Sequence, residues 1–380
     1  MLKFHGKNSE NLSKARQVIS RIFAEKQPVT KFENNAQFSS FQMSHKNPIC
    51  VCAFLLFILQ KKYGKSSAMQ VIVGTEQKFP SQKNIVTIGT FDGLHHGHKK
   101  ILARLRDIQA QNPDYTTVVM TFHPHPRSVV GGEEVKILST IEEKTKLIAD
   151  EGIDFLLLLP FDRKFSEMTP EEFTQKVLCD FLHTKFLIIG YDHKFGKNRS
   201  GNYEFLKSGE ERFGFKVMEI TKQQIEDVAV SSTKIRQALL AGNIKTANEY
   251  LERPYSLRGK VVRGNQIGRT LGFPTANIET GNPQKLVPAD GIYAVNVEVR
   301  GQLYGGVLSV GVRPTIGQNL QRTVEVNIFD FNEDIYDEEV CLFFRAFIRP
   351  ELKFDSLDVL VAQMHEDKRN AERILGEISV

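Results

Sequence analysis

Five short apolar runs punctuate the chain between Met69 and Leu251: Ile85–Ile88, Thr117–Phe122, Phe155–Leu159, Phe186–Ile189 and Val217–Ile220. Each has strand length, is nearly continuous rather than alternating, and is bounded by polar or turn residues. Helix-like stretches lie between several of them, such as Lys99–Gln111 and Pro170–Phe181. Pro170 fits a first helical turn, with Thr169 before it as N-cap. Buried strands alternating with helices predict a parallel sheet covered on both faces. Asn243–Leu251 reads as a closing helix, and Pro254 as a boundary. From Tyr255 the period changes to two. Gly291–Val299, Thr323–Phe329 and parts of Glu339–Ile348 alternate, and Arg300-Gly301 and Asn332–Asp334 mark turns between them. That pattern predicts antiparallel strands closing into a small barrel. A final helix is predicted from near Asp355-Ser356, with the Leu357, Leu360, Val361 and Met364 stripe packed on the barrel.

Residues 1–68 follow neither pattern. The first 48 are polar, with eight Lys or Arg against three Glu, and Ile49–Leu59 is apolar but too short to span a bilayer as a helix. Read from Met43, that run resembles a signal-peptide core, but the chemistry downstream favours a segment outside the functional protein, disordered or an over-long start. The expected organisation is therefore an unassigned extension over 1–68, a sheet domain over 69–253 and a barrel domain over 254–380. A net charge of +5, from 50 basic and 45 acidic residues, is too small for this length to mark a nucleic-acid-binding face, and suits anionic small substrates. Cys50, Cys52, Cys179 and Cys341 match no zinc spacing and form no disulfide framework, so they read as thiols in a reducing compartment.

Two glycine-rich sequences carry candidate chemistry. In Gly89-Thr-Phe-Asp-Gly-Leu-His-His-Gly-His98, Asp92-Gly93 forms a turn after a strand and places His95 and His98 at a helix start. Free N–H groups and the positive end of the helix dipole make phosphate the natural guest there. Two imidazoles can donate to a triphosphate as charge builds at phosphorus, and Gly97 leaves room for a nucleotide. No G-x-G-x-x-G is present, and only Asp92 could assist the histidines in holding a metal. Later, Ser231, Ser232 and Thr233 can cap a helix while Arg236 points a fork at phosphate oxygens. All these segments follow strands, where open α/β sheets place their ligands. The second sequence runs Gly268-Arg-Thr-Leu-Gly-Phe-Pro-Thr-Ala-Asn277. Gly259, Gly264, Gly268 and Gly272 make a segment able to wrap phosphates. The Thr275 hydroxyl and Asn277 carboxamide are hard oxygen ligands, suited to Mg²⁺ already held by a nucleotide.

The Gly89–His98 decamer resembles the signature of the nucleotidylyltransferase superfamily. More narrowly, together with Phe122–Pro126, Gly190–Gly201 and Val230–Arg236, it resembles the FAD synthetase module of bacterial bifunctional riboflavin kinase/FAD synthetases. Gly259–Gly264, Gly268–Asn277, Asp290–Tyr293, Ser309–Gly317, Arg322–Glu325, Phe329–Phe331 and Arg349–Glu351 resemble the riboflavin kinase family. The resemblance runs from about Met69 to the C-terminus. Residues 1–68 have no counterpart in it, and Asp337 stands where the family often carries Gly.

The resemblance implies an α/β fold: a Rossmann-like nucleotidylyltransferase domain followed by a small antiparallel β-barrel riboflavin kinase domain. It implies phosphorylation of riboflavin to FMN, then adenylyl transfer from ATP to FMN, giving FAD and pyrophosphate. For adenylyl transfer it implies an ATP site of Gly89, Phe91, Asp92, His95, His98, Asp192, Arg199, Ser232 and Arg236, with His95 and His98 catalytic. For the kinase it implies Gly264, Gly268, Gly272, Thr275 and Asn277 at ATP, the last two placing Mg²⁺, with Glu325 as base and Arg349 and Leu360 at the flavin. The implied partners are ATP, riboflavin and FMN in the cytoplasm, with neither nucleic acid nor membrane and the oligomeric state left open. Adenylyl transfer to another phosphate ester, such as phosphopantetheine, would leave the riboflavin kinase motifs unexplained. A nucleic-acid-binding barrel would need interleaved aromatic and basic strand positions that this sequence lacks.

Overall fold

A computed structural model describes residues 69–131, 134–191, 193–221, 230–264, 272–314 and 320–378. The expectations for residues 1–68, Asp192 and Gly268 lie outside the described residues.

The first part is a parallel sheet of β1 (Gln70–Val73), β2 (Asn84–Ile88), β3 (Thr116–His123), β4 (Phe155–Pro160), β5 (Thr184–Gly190) and β6 (Lys216–Ile220), in the order β1-β4-β3-β2-β5-β6. Every residue of β2 is buried, as its run of apolar residues requires with helices on both faces. β1 is an additional strand at the edge, paired only with β4. From β2 the chain steps one way to β3 and β4, then returns to the other side for β5 and β6. The switch point therefore lies between β2 and β5, where an open sheet leaves a crevice at its carboxyl end.

The α-helices of eight residues or more among the described residues are α1 (His96–Gln111), α2 (Ile141–Asp150), α3 (Ser232–Leu240), α4 (Ile244–Leu251) and α5 (Leu357–Ile378). The helix expected over Pro170–Phe181 starts as predicted, with a Thr169–Glu172 capping box and Pro170 in the first turn. It widens to a π-helix over Thr174–Phe181.

The second part is a closed barrel of β7 (Tyr255–Val262), β8 (Ala276–Glu279), β9 (Gly291–Val299), β10 (Gln302–Pro314), β11 (Leu320–Ile328) and β12 (Glu339–Arg349), ordered β10-β11-β8-β7-β12-β9. Alternation sends Tyr293, Val295, Val297, Leu308, Val310, Val324 and Val326 inward. The β9–β10 hairpin turns on Arg300 and Gly301, both with positive φ (51° and 80°), as a two-residue turn matched to strand twist requires. Asp337 has φ 66°, a left-handed conformation that favours Gly, and its carboxylate pairs with Lys260 at 2.8 Å.

One packing expectation is corrected. Leu357 is 64 % exposed, and Leu360, Val361 and Met364 are only partly buried. α5 instead docks through Ala371, Ile374 and Leu375 against Ala294, Phe329 and Val307. The barrel core also continues past the expected boundary: Ile235 and Leu239 of α3 and Ile244, Ala247 and Leu251 of α4 belong to the same cluster as the barrel interior.

Candidate active sites

At the end of β2 the chain turns sharply into α1. Phe91, Gly93 and Leu94 all have positive φ (47°, 83° and 38°). Two of them are not glycine, at a cost of about 1–3 kcal/mol each. Packing holds them there: Phe91 and Leu94 are each 1 % exposed and share a core with Leu102 and Leu105 of α1. A side chain at Gly93 would strike Leu138 at 2.8 Å.

The turn sets His95 as N-cap of α1 and His98 one turn on, with their rings stacked at 3.7 Å between centroids. His98 also leans on Phe91 at 5.1 Å. Burial, offset in part by Asp92, pushes His95 down to about 4. Burial and the neighbouring His95 push His98 well below the usual range. Both imidazoles are therefore neutral near pH 7. Each has a buried Nδ1 without a hydrogen-bond partner. Orphaned polar atoms of this kind are rare in a folded interior and fit a site that completes its bonding with a guest.

Asp92 is 2 % exposed and saturated from within. It accepts from the Leu138 N–H at 2.9 Å, from the Ser139 N–H at 3.0 Å and from Arg236. Ser232 Oγ donates to the Asp92 carbonyl at 2.9 Å, while Ser231 caps α3. Arg236 also donates to the Lys136 carbonyl at 2.7 Å. The fork expected at phosphate oxygens thus holds a buried carboxylate, because such a carboxylate needs a cation more than an open surface does. Lys144 is 6 % exposed and donates to the Thr90 carbonyl at 2.7 Å; burial lowers it to about 8. Beside these groups lies a cavity of about 160 Å³, lined among others by Asp92, His123, His125, Lys144 and, from the barrel side, Asn282 and Gln284.

The second constellation lies on the outside of the barrel. Along β11, Val324 and Val326 point inward, so Glu325 and Asn327 face out. Asn277 of β8 is the register partner of Glu325. Asn327 donates from Nδ2 to the Pro274 carbonyl at 2.8 Å and so pins the Pro274–Asn277 segment onto β11. A Cβ at Gly264 would lie 2.2 Å from the Asn277 amide nitrogen, so a side chain there would push that carboxamide from its place. Gly272 has φ 78°. Phe273 meets His365 of α5 edge-on at 4.7 Å, which brings the last helix alongside. A carboxamide and a carboxylate thus lie side by side, with the Thr275 hydroxyl two residues before Asn277; such hard oxygens suit Mg²⁺ on a nucleotide. Arg322 joins two of the barrel motifs by pairing with Asp290 at 2.7 Å.

Against known proteins, the family model described as FAD synthetase matches residues 77–234, and that described as riboflavin kinase matches residues 251–375. The chain is 34% identical over 307 residues to the bifunctional riboflavin kinase/FMN adenylyltransferase of Listeria monocytogenes, covering 80% of this chain and 96% of that protein. The chain belongs to the bifunctional riboflavin kinase/FMN adenylyltransferase family. The Haemophilus influenzae member is 37% identical over 289 residues, covering 76% of this chain and 92% of its own length. A Streptococcus pneumoniae crystal structure, solved as a macrolide-efflux protein, is 34% identical with a TM-score of 0.73, covering 80% of this chain and 98% of that one. No helix among the described residues is long and apolar enough to cross a membrane.

Of the residues expected at the FMN adenylyltransferase site, Gly89, Phe91, Asp92, His95, His98, Ser232 and Arg236 come together around one turn. Arg199 stands apart, exposed on a short helical turn after β5 with φ 57°. Of the residues expected at the riboflavin kinase site, Gly264, Asn277 and Glu325 come together, and Thr275 lies two residues before Asn277. Arg349 lies in the same cross-strand row as Glu325, by way of Ser309 and Ile292, and its guanidinium grips Asp367 of α5 at 2.9 and 2.7 Å. Leu360 sits half-buried on the first turns of α5. The sequence reading missed Lys144, Arg253 and Lys285, whose burial no local pattern signals.

The buried histidines carry a stability consequence. Unfolded His95 takes up a proton as the pH falls through 6.5, whereas folded His95 does not until about 4. Between those values the unfolded chain binds more protons, so stability is lost as the pH falls, by about 3 kcal/mol from this group. His98 adds to the same slope. Urea unfolding measured from about pH 7 down to about pH 4.5 is expected to show this decline. A His95→Asn variant should show a shallower one; an unchanged slope would mean that His95 is not buried neutral.

Proposed function

We propose that this riboflavin kinase and FMN adenylyltransferase runs its two reactions at two separate sites, in the cytoplasm, with the functional division at Pro254. The observation that carries this reading is the presence of two phosphate-suited constellations on different frameworks. One lies at the sheet's switch point and the other on the outer face of the barrel. The free thiols of Cys179 and Cys341, both pushed up to about 11 by burial, suit a reducing compartment.

On the barrel, Glu325 takes the proton of the terminal ribityl hydroxyl of riboflavin as that oxygen attacks the γ-phosphorus of ATP. ADP leaves and FMN forms. Thr275 and Asn277 would hold Mg²⁺, which would offset the charge of the phosphates. Arg349, fixed by Asp367, and Leu360 border the flavin. On the sheet, a phosphate oxygen of FMN attacks the α-phosphorus of a second ATP, the bond to the bridging oxygen breaks, and pyrophosphate leaves. No general base is needed, because the nucleophile is already an anion. His95 and His98 donate to the phosphates as charge builds, with Ser232 and Arg236 shaping the turn beside them.

A fragment of residues 230–380, which keeps α3 and α4 on the barrel, is expected to make FMN from riboflavin and no FAD. FAD from this fragment would contradict the division of labour. A shorter fragment of residues 254–380 is expected to melt at a lower temperature, since it strips Ile244, Ala247 and Leu251 from the barrel core. Uncovering side chains of this size costs about 1.5–3 kcal/mol each for the larger two.

A further inference from the structure

The turn that carries His95 and His98 is held from outside its own sheet. Arg253, in the link between α4 and β7, donates from Nη2 to the Gly93 carbonyl at 2.5 Å and from Nη1 to the Leu94 carbonyl at 3.2 Å. Glu252 beside it pairs with Lys99 at 3.0 Å and with His96, both in the first turn of α1. On the other side, the segment from Ile137 to Lys144 clamps the turn. Its Leu138 and Ser139 N–H groups bind Asp92, Ser139 Oγ accepts from the Gly93 N–H at 3.0 Å, and Lys144 binds the Thr90 carbonyl.

That clamp is itself pinned by the barrel module. Ile137 forms a parallel bridge to Lys285. Lys285 is 4 % exposed and donates to the Leu138 carbonyl at 2.7 Å. It also pairs with Glu143 at 2.6 Å. The same Glu143 oxygen accepts from the Thr140 N–H at 2.9 Å, closing the cap of α2. The Lys285 ammonium lies over the Tyr255 ring at 4.6 Å. A lysine that is almost fully removed from water, with three partners around it, fixes geometry rather than solubility.

We infer that Lys285 is a positioning residue for adenylyl transfer: the kinase side of the chain sets the geometry of the adenylyltransferase turn through the segment Ile137–Lys144, while Arg253, on the near side of Pro254, holds the turn directly. This rests on the reading of the His95–His98 turn as the adenylyltransferase site. Among the described residues, Lys285 meets neither Asn277 nor Glu325, so its loss is expected to reach only one of the two reactions.

The test uses the full chain with FMN and ATP supplied, and riboflavin phosphorylation assayed in parallel. Lys285→Met is expected to lower the turnover of FAD formation on the order of 10²-fold, the scale of an ångström of misplacement, with the kinase rate unchanged. Lys285→Arg should recover most of that loss. Lys285→Met leaves Glu143 buried without its cation, so a Glu143→Gln/Lys285→Met double variant is included. Gln keeps an oxygen for the Thr140 cap, so the melting temperature should recover in the double variant while FAD turnover stays as low as in the single one. Normal FAD turnover in Lys285→Met overturns the inference. So does recovery of turnover together with stability in the double variant, or an equal loss of both activities, because either makes Lys285 a residue that only holds the fold. His98→Ala is assayed alongside. If it abolishes FAD formation and Lys285→Met does not, only this inference falls. If neither variant affects FAD formation, the site itself has been misplaced.

Discussion

Replacing His98 by Ala is expected to lower FAD formation by about 10²–10³-fold, the usual cost of losing one preorganised donor to a developing phosphate charge. FMN formation should continue at its normal rate. The reasoning starts from the backbone. Three left-handed residues in a row of four fix the turn, and the stacked His95 and His98 rings leave each imidazole one position. Both rings are neutral before substrate arrives, so they bring N–H donors into the site without the repulsion of two adjacent cations. Ala removes the donor and the ring that packs on Phe91. Thermal unfolding must therefore accompany the assay, and a modest drop in melting temperature with unchanged FMN formation would still support the assignment. Equal loss of both activities would make His98 a residue of the fold alone.

Glu325→Gln carries the other large effect. Gln preserves size and hydrogen bonding, and the alternation of β11 keeps it on the same face beside Asn277, but it cannot take a proton. The kinase rate is expected to fall by about 10²–10⁴-fold, the range for losing a positioned base, with the defect in turnover rather than in the KM for ATP. FMN supplied from outside should still be converted to FAD. A near-normal kinase rate would reject Glu325 as base and leave proton transfer to the phosphate itself as the better account.

The parts of this structure that were legible in the sequence are those governed by a local period or a local turn. β2, β3 and β4 are readable because both of their faces are buried, so apolar residues run nearly unbroken, and β6 at the edge is legible only through Val217 and Ile220. β11 is readable because one face is buried, so residues alternate, whereas β9 is also covered on its other face at Ala294. β1 escaped, being four residues with a polar start at a sheet edge. The helix over Pro170–Phe181 was legible at its capped start, but no local pattern signals its π-helical continuation. For α5 the periodicity found a stripe but could not say which turns of it would meet a partner. Its later turns do, at Ala371, Ile374 and Leu375, while Leu357 stays in solvent.

The site residues divide in the same way. His95, His98, Thr275, Asn277 and Glu325 stand in short contiguous motifs whose residue types announce their chemistry. The partners of Asp92 and Arg236 are set by tertiary contact across 144 residues, and no motif reports that the carboxylate needs the guanidinium. Lys144, Arg253 and Lys285 look like ordinary solvent cations in the sequence, because lysine and arginine seldom bury. Their role becomes visible only once the sheet and the barrel share one core, as α3 and α4 make them do.

The central claim is that one chain makes FMN at the barrel and consumes it at the sheet. Incubating the full protein with riboflavin, ATP and Mg²⁺, and separating the flavins by chromatography over time, tests it most directly. The account predicts that FMN rises first and FAD follows, that Glu325→Gln leaves riboflavin unconverted, and that His98→Ala stops the sequence at FMN. FAD accumulating from riboflavin in the Glu325→Gln protein, or forming at the normal rate in the His98→Ala protein, would contradict it.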